Sequence, residues 1–164
     1  MTNRSNSLLG SMADAVRSAF ALPQRVQFAA LAYRESDKGL EYMLLTSRDT
    51  GRWIIPKGWP TSNGDGVQTA AQEAWEEAGI RGELAAEPIG DYGYMKKLDA
   101  GHEVECRVFV YPMHVTQIVD DFPEVGQRKR EWVNPRKAAK RVDEPELSAL
   151  LLDCAREGVL SLDA

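Results

Sequence analysis

The chain has 164 residues, 43% apolar and 27% charged, the proportions of one globular domain able to bury a core without disulfides or a structural metal. A net charge of −5 argues against a broad electrostatic grip on nucleic acid, although a local basic pocket stays compatible with it. No run reaches the roughly 18 apolar residues of a membrane span. The N-terminal stretch is interrupted by Asp14 and Arg17 and makes a poor signal-peptide core. Cys106 and Cys154 lack metal or redox spacing and read as buried, reduced thiols, so the cytoplasm is the expected compartment.

Residues 1–22 are expected to form an arm outside the domain. Its first residues are polar, and Leu9, Met12, Val16 and Phe20 then recur at helical spacing up to Pro23. The arm reads first as a loosely docked segment, with a dimerisation or lid element as the sharper alternative, which leaves a homodimer open. From residue 23 to 164 the pattern is that of a single domain. Val26–Tyr33 barely alternates and predicts a strand buried on both faces, Arg34–Gly39 a charged turn, and Tyr42–Thr46 the second strand of a hairpin. After the polar turn Ser47–Arg52 comes a brief extended piece, Trp53–Ile55, ended by Pro56.

A helix is expected from Asp65, as cap, to Gly79, as left-handed stop, with Gln68 placed to close a capping box. Val67, Ala70, Ala71, Ala74, Trp75 and Ala78 form its apolar stripe. Short strands are expected at Gly82–Ile89 and Asp91–Met95, and a long one at Val104–Val115. Asp120–Arg130 reads as a charged loop, and Glu131–Val133 as a short strand. A closing helix starts near Asp143, with Leu147, Leu150, Leu151 and Cys154 as its stripe. The order implies a mixed β-sheet sandwiched between helices, an α+β arrangement.

Gln72, Glu73, Glu76 and Glu77 fall on the helix face opposite the stripe. Glu73 is three residues from Glu76 and four from Glu77, so three carboxylates converge within one turn. Each like-charge pair costs a few tenths of a kcal/mol, and acids in the last turns lose ~0.3–1 kcal/mol to the helix dipole. Stability alone would place lysine there. Hard oxygen donors gathered against the electrostatics suit Mg²⁺ or Mn²⁺ shared with phosphate. A solvated acidic face is the plainer alternative. The Lys57–Gly58 loop, with glycines again at 64 and 66, allows close backbone approach beside a cation and brings the two readings level.

The run Gly58-x5-Gly64-x7-Gln72-Glu73-Ala74-Trp75-Glu76-Glu77-Ala78-Gly79-Ile80 resembles the signature box of the Nudix hydrolases, G-x5-E-x7-R-E-U-x-E-E-x-G-U, with U an aliphatic residue. Spacing is kept throughout, and the likeness in strand order extends over about residues 25–155. Two positions depart: Gly64 stands for the early glutamate, and Gln72 for the arginine. A neutral amide can hydrogen-bond Glu73 but cannot form an ion pair with it.

The resemblance implies an α/β/α sandwich and hydrolysis of a diphosphate linkage in a small phosphorylated substrate. Glu73, Glu76 and Glu77, with the Gly58 carbonyl, would hold Mg²⁺ or Mn²⁺. Lys57 is the first choice to bind the remaining phosphates, followed by Arg34, Arg48, Arg52, Lys96 and Lys97. Glu77, Glu103 or Glu124 would serve as general base; His102 and His114 read as incidental. Trp59 suits either base stacking or packing. The Trp53–Gly58 run, W-x-x-P-K-G, resembles members acting on diadenosine or diphosphoinositol polyphosphates. The alternatives are a catalytically weak binding or regulatory module, motivated by Gly64 and Gln72, or a pyrophosphatase of nucleotide sugars or RNA 5′ ends.

Overall fold

A computed structural model describes residues 25–62, 65–158 and 160. The expected N-terminal helix and Gly64 lie outside these. Eight strands form one mixed sheet: β1 (Arg25–Ser36), β2 (Gly39–Thr46), β3 (Trp53–Ile54), β4 (Lys57–Gly58), β5 (Ile80–Leu84), β6 (Gly90–Lys97), β7 (Glu103–Ile118) and β8 (Arg130–Val133). Helix α1 (Gly66–Ala78) covers one face; α2 (Pro135–Arg141) and α3 (Pro145–Arg156) cover the other.

This layering explains why β1 does not alternate between apolar and polar residues. Ala29, Leu31 and Tyr33 point to the α3 side, where they meet Leu44, Val108, Val110, Leu147 and Leu151. Ala30 and Ala32 point to the α1 side and meet Met43, Ala70, Ala74, Ala78 and Met113. A central strand with a helix layer on each face has no solvent side to keep polar. The Tyr42 hydroxyl, fully buried, donates to the Leu151 carbonyl at 2.8 Å and ties the sheet to α3.

β1 and β2 form the expected hairpin, but the turn is only Asp37-Lys38, since Ser36 already faces Gly39. Arg34 therefore lies within the strand, where the sequence reading has a turn. β1 also runs parallel to β7 and changes its other neighbour along its length. Tyr33 faces Tyr42 of β2, whereas Phe28 and Ala29 face Gly58 and Lys57 of β4. The two-residue β4 is missed by sequence, because Pro56 reads as the end of extended structure. α2 is missed as well: its signal is Asn134-Pro135, a capping side chain that accepts from Lys137 N at 2.9 Å, followed by proline in the first turn.

Candidate functional site

Helix α1 begins and ends where expected. The Asp65 carboxylate accepts from the backbone N–H of Val67 (2.8 Å) and Gln68 (3.4 Å), and Gly79 closes the helix at φ 66°. The Thr69 hydroxyl donates to the Asp65 carbonyl and accepts from Thr61 N–H, which pins the preceding loop to the first turn. The far end is held by the 119–129 segment. Val119 N–H donates to the Gly79 carbonyl, Glu124 N–H to the Glu76 carbonyl, and the Arg130 guanidinium to the carbonyls of Ala78 and Val119. The helix has no basic residue in its own last turn. Arg130 supplies that charge from 52 residues away, offsetting the dipole cost of its acids.

The glutamates do not all lie opposite the apolar stripe, as expected from the helical period. Glu77 is only 4% exposed and Glu73 half-buried, because β4 and the 119–129 segment fold over that flank. Nor do three carboxylates converge. Glu73 and Glu77 share a hydrogen bond, while Glu76 accepts from the Gln72 amide at 2.7 Å on the exposed side. Gln72 thus engages Glu76, where the sequence reading pairs it with Glu73.

The Glu73 carboxyl is pushed up to about 8, first by burial, then by the hydrogen bond and charge of Glu77, with Glu76 and Glu124 adding to it. Burial also raises Glu77, against the hydrogen bond from Glu73 and the charges of Arg128 and Lys57. The pair therefore holds on to one proton between them. Glu73 lies directly against Gly58, where any Cβ would overlap its carboxylate. That contact gives Gly58 its physical reason. Glu77 Oε1 accepts from Lys57 N–H at 3.3 Å; its Oε2 lies 3.1 Å from Arg128 Nη2 but has no hydrogen-bond partner.

These residues open onto a cleft of about 300 Å³ that also takes in Gln27, Arg48, Trp59, Lys96, Glu124 and Arg128. An adjoining depression of about 290 Å³ is lined by Arg52, Lys57, Tyr94, Met95, Lys96 and Lys97. Lys57 stands between the two, its ammonium 5.1 Å from the Tyr94 ring, and burial lowers its pKa to about 8. Lys96 lies over the Trp59 ring. Arg48 reaches Glu124 at 3.4 Å, and Arg52 is committed to Glu144 at 2.6 Å.

Arg34 lines neither cavity: it pairs with Glu41 and stacks on Trp132. Glu103 stands at the start of β7 facing Lys97, and His114 stacks on Tyr33, both outside the cavities. His102 is exposed, immediately before β7. Sequence reasoning misses Arg128 and Gln27. The first is hidden among the charges of the Gln127–Glu131 run. The second is marked only as the one polar residue inside the apolar run Val26–Ala32.

The chain belongs to the NUDIX domain family, which matches residues 23–153. It is 31% identical over 115 residues to diphosphoinositol polyphosphate phosphohydrolase 2 of Rattus norvegicus, covering 68% of this chain and 59% of that one. It is 28% identical over 102 residues to the mitochondrial Nudix hydrolase 12 of Arabidopsis thaliana, covering 60% and 50%. The chain thus spans about half to three fifths of the length of these relatives. Among solved structures, a C. elegans Ap4A hydrolase superposes with a TM-score of 0.59 at 21% identity, over 85% of this chain and 100% of that one. That likeness is one of fold.

The donors in the cleft fit a hard divalent cation. Glu73 and Glu77 bring two carboxylates together against Gly58, and one buried oxygen of Glu77 has no hydrogen-bond partner besides its ion pair with Arg128. Among the described residues no three acidic, histidine or cysteine side chains yet stand close enough to enclose an ion. Glu76 accepts instead from the Gln72 amide.

Proposed function

We propose that this protein is a divalent-metal-dependent hydrolase of a diphosphate linkage in a nucleoside or inositol polyphosphate. The observation that carries this reading is the Glu73–Glu77 carboxyl pair, set against Gly58 in a cleft also lined by Lys57 and Lys96. Nudix hydrolases generally depend on such ions. Glu73, Glu77 and the Gly58 carbonyl, joined by Glu76, would hold Mg²⁺ or Mn²⁺. Bound there, such an ion would supply neutralisation of phosphate charge and a lowered pKa for a coordinated water.

The remaining steps belong to the chain itself. Lys57 and Lys96 bind phosphoryl oxygens, and Arg48 stands at the rim beside Glu124. Arg128 keeps Glu77 oriented. Of the three candidate bases, Glu77 and Glu124 line the cleft and Glu103 does not, so the proton of the attacking water passes to one of the first two. The second depression, with Lys96 and Lys97, favours a substrate carrying negative charge beyond the scissile diphosphate. The names of the relatives, which include a diphosphoinositol polyphosphate phosphohydrolase and an Ap4A hydrolase, support the same substrate classes. The two buried, unpaired cysteines support a reducing compartment such as the cytoplasm.

The test is phosphate release with Mg²⁺ or Mn²⁺ across diadenosine polyphosphates, diphosphoinositol polyphosphates, nucleotide sugars and capped RNA. Turnover of one of the first two groups, lost in Glu77→Gln, is the expected result. No turnover of any substrate, or a Glu77→Gln variant as active as wild type, sinks the proposal.

A further inference from the structure

Gln27 sits in β1 one residue before the Phe28–Gly58 pairing and opposite Val108 of β7. It is 3% exposed, yet it lines the cleft beside Lys57 and Glu73. A buried amide within an apolar strand costs stability unless its polar atoms are used. Its Oε1 accepts from the Tyr94 hydroxyl at 2.6 Å.

That length fixes which way round the amide lies. It belongs to an O–H···O bond, shorter than the usual N–H···O distance. The other neighbour of the hydroxyl, the Cys106 thiol, is a poor acceptor, so the hydroxyl spends its proton on the amide carbonyl. Burial raises both Tyr94 and Cys106, which keeps each protonated and the direction of the chain constant. Among the described residues, the buried side-chain polar atoms without a partner are Glu77 Oε2, Arg128 Nε and Glu144 Oε2. The Gln27 amide nitrogen is not one of them, and it makes no hydrogen bond to the described residues. That nitrogen therefore keeps some exposure, and the cleft that Gln27 lines is where it finds it.

We propose that Gln27 is a specificity-determining residue of the cleft, its side-chain NH₂ donating to a non-bridging phosphoryl oxygen of the substrate, and that Tyr94 is the positioning residue that turns the amide that way. This rests on the diphosphate-hydrolase reading above and deepens it. Lysine charge attracts any anion, whereas an amide held by a hydroxyl at its back asks for an acceptor at one place. Lys57 and Arg52 pack on the Tyr94 ring, so the same tyrosine braces both the cations and the amide.

The experiment compares wild type with Gln27→Leu, Gln27→Glu, Tyr94→Phe and the Gln27→Leu/Tyr94→Phe double variant. It measures KM and kcat for the best substrate, Mn²⁺ affinity, and thermal midpoints. Removing one hydrogen bond to a charged phosphoryl group raises KM in the Gln27 variants about 10–100-fold, while Mn²⁺ affinity holds. Tyr94→Phe gives a smaller rise, and the double variant is no worse than Gln27→Leu alone. Gln27→Glu keeps the side-chain shape and the acceptor for Tyr94, so it decides the matter if the leucine variant does not fold. An unchanged KM in Gln27→Glu overturns the role of Gln27; multiplying effects in the double variant overturn that of Tyr94. If wild type turns over no substrate, the hydrolase reading has failed on its own account. Calorimetric binding of methylene-bridged adenosine diphosphate with Mg²⁺ then decides: equal affinity in wild type and Gln27→Glu ends the proposal, and weakening by the same factor upholds it.

Discussion

Divalent-ion affinity should rise steeply with pH, because the carboxyl pair that would bind the ion otherwise keeps a proton. Glu73 is pushed up from the usual 4.5 to about 8, chiefly by burial and by Glu77. An ion that needs Glu73 ionised must displace that proton, so its apparent affinity is reduced by the factor 1 + 10^(8−pH). The factor is about 100 at pH 6 and about 2 at pH 8, which predicts roughly 50-fold tighter binding at the higher pH.

The same linkage sets the sign for stability. Without metal the folded chain keeps a proton that the unfolded chain sheds above pH 4.5, so the folded state binds more protons between 4.5 and 8. Glu73 therefore lowers stability as pH rises through that window, and Mg²⁺ reverses the loss. Titration calorimetry with Mn²⁺ at pH 6, 7 and 8, in two buffers of different ionisation heat, counts the protons released. Thermal melts with and without Mg²⁺ give the stability arm. Affinity that is flat from pH 6 to 8 with no proton release would refute the reasoning. So would a Glu73→Gln variant with the wild-type pH profile.

Four further outcomes follow from the same geometry. Gly58→Ala drives a methyl group into the Glu73 carboxylate but strains no backbone; ion affinity should fall about 10–100-fold with a near-normal melting point, read by calorimetry and melts together. Arg128→Met leaves Glu77 buried without its cation; denaturant titration at pH 8 should show a loss of about 3 kcal/mol, smaller at pH 6, where the carboxyl pair is more readily protonated. Lys57, lowered to about 8, loses its charge above that pH. KM should then climb up to about tenfold per pH unit, and Lys57→Arg should flatten the climb. Gln72→Arg frees Glu76 from its amide partner; Mn²⁺ affinity should improve by about tenfold, measured by electron paramagnetic resonance.

Helix α1 was legible because cap, stripe and stop are local signals that agree: Asp65 and Gly79 bound it, and Ala70, Ala74 and Ala78 of the stripe are buried with Val67 packed beside them, while Ala71 and Trp75 stay half-buried. The signature spacing carried the family for the same reason. The orientation of its glutamates was not legible. A helical wheel sets Glu77 on the polar side, but what lies over that side is decided by β4 and by the segment that bears Glu124 and Arg128. Arg34 shows the same limit from the other direction. Its charge suggested a phosphate ligand, but continued pairing of β1 carries it to Glu41 and Trp132. Helix α2 escaped because two buried alanines make no recognisable stripe. Gln27 escaped because nothing local says which buried amide faces a cavity.

The bonds from Arg130 to the end of α1 also bear on the order in which the protein can come together. The carbonyls that close the helix wait for a guanidinium 52 positions later, and Glu77 waits for Arg128. A nascent chain that has emerged only as far as β7 therefore holds every residue of the signature and none of the clasp. Such long-range closure is entropically slow. The cleft should be among the last parts of the molecule to become rigid, and a single cut in the 119–129 segment should loosen it while leaving the sheet intact. Limited proteolysis of that segment would thus silence the site before it unfolds the protein.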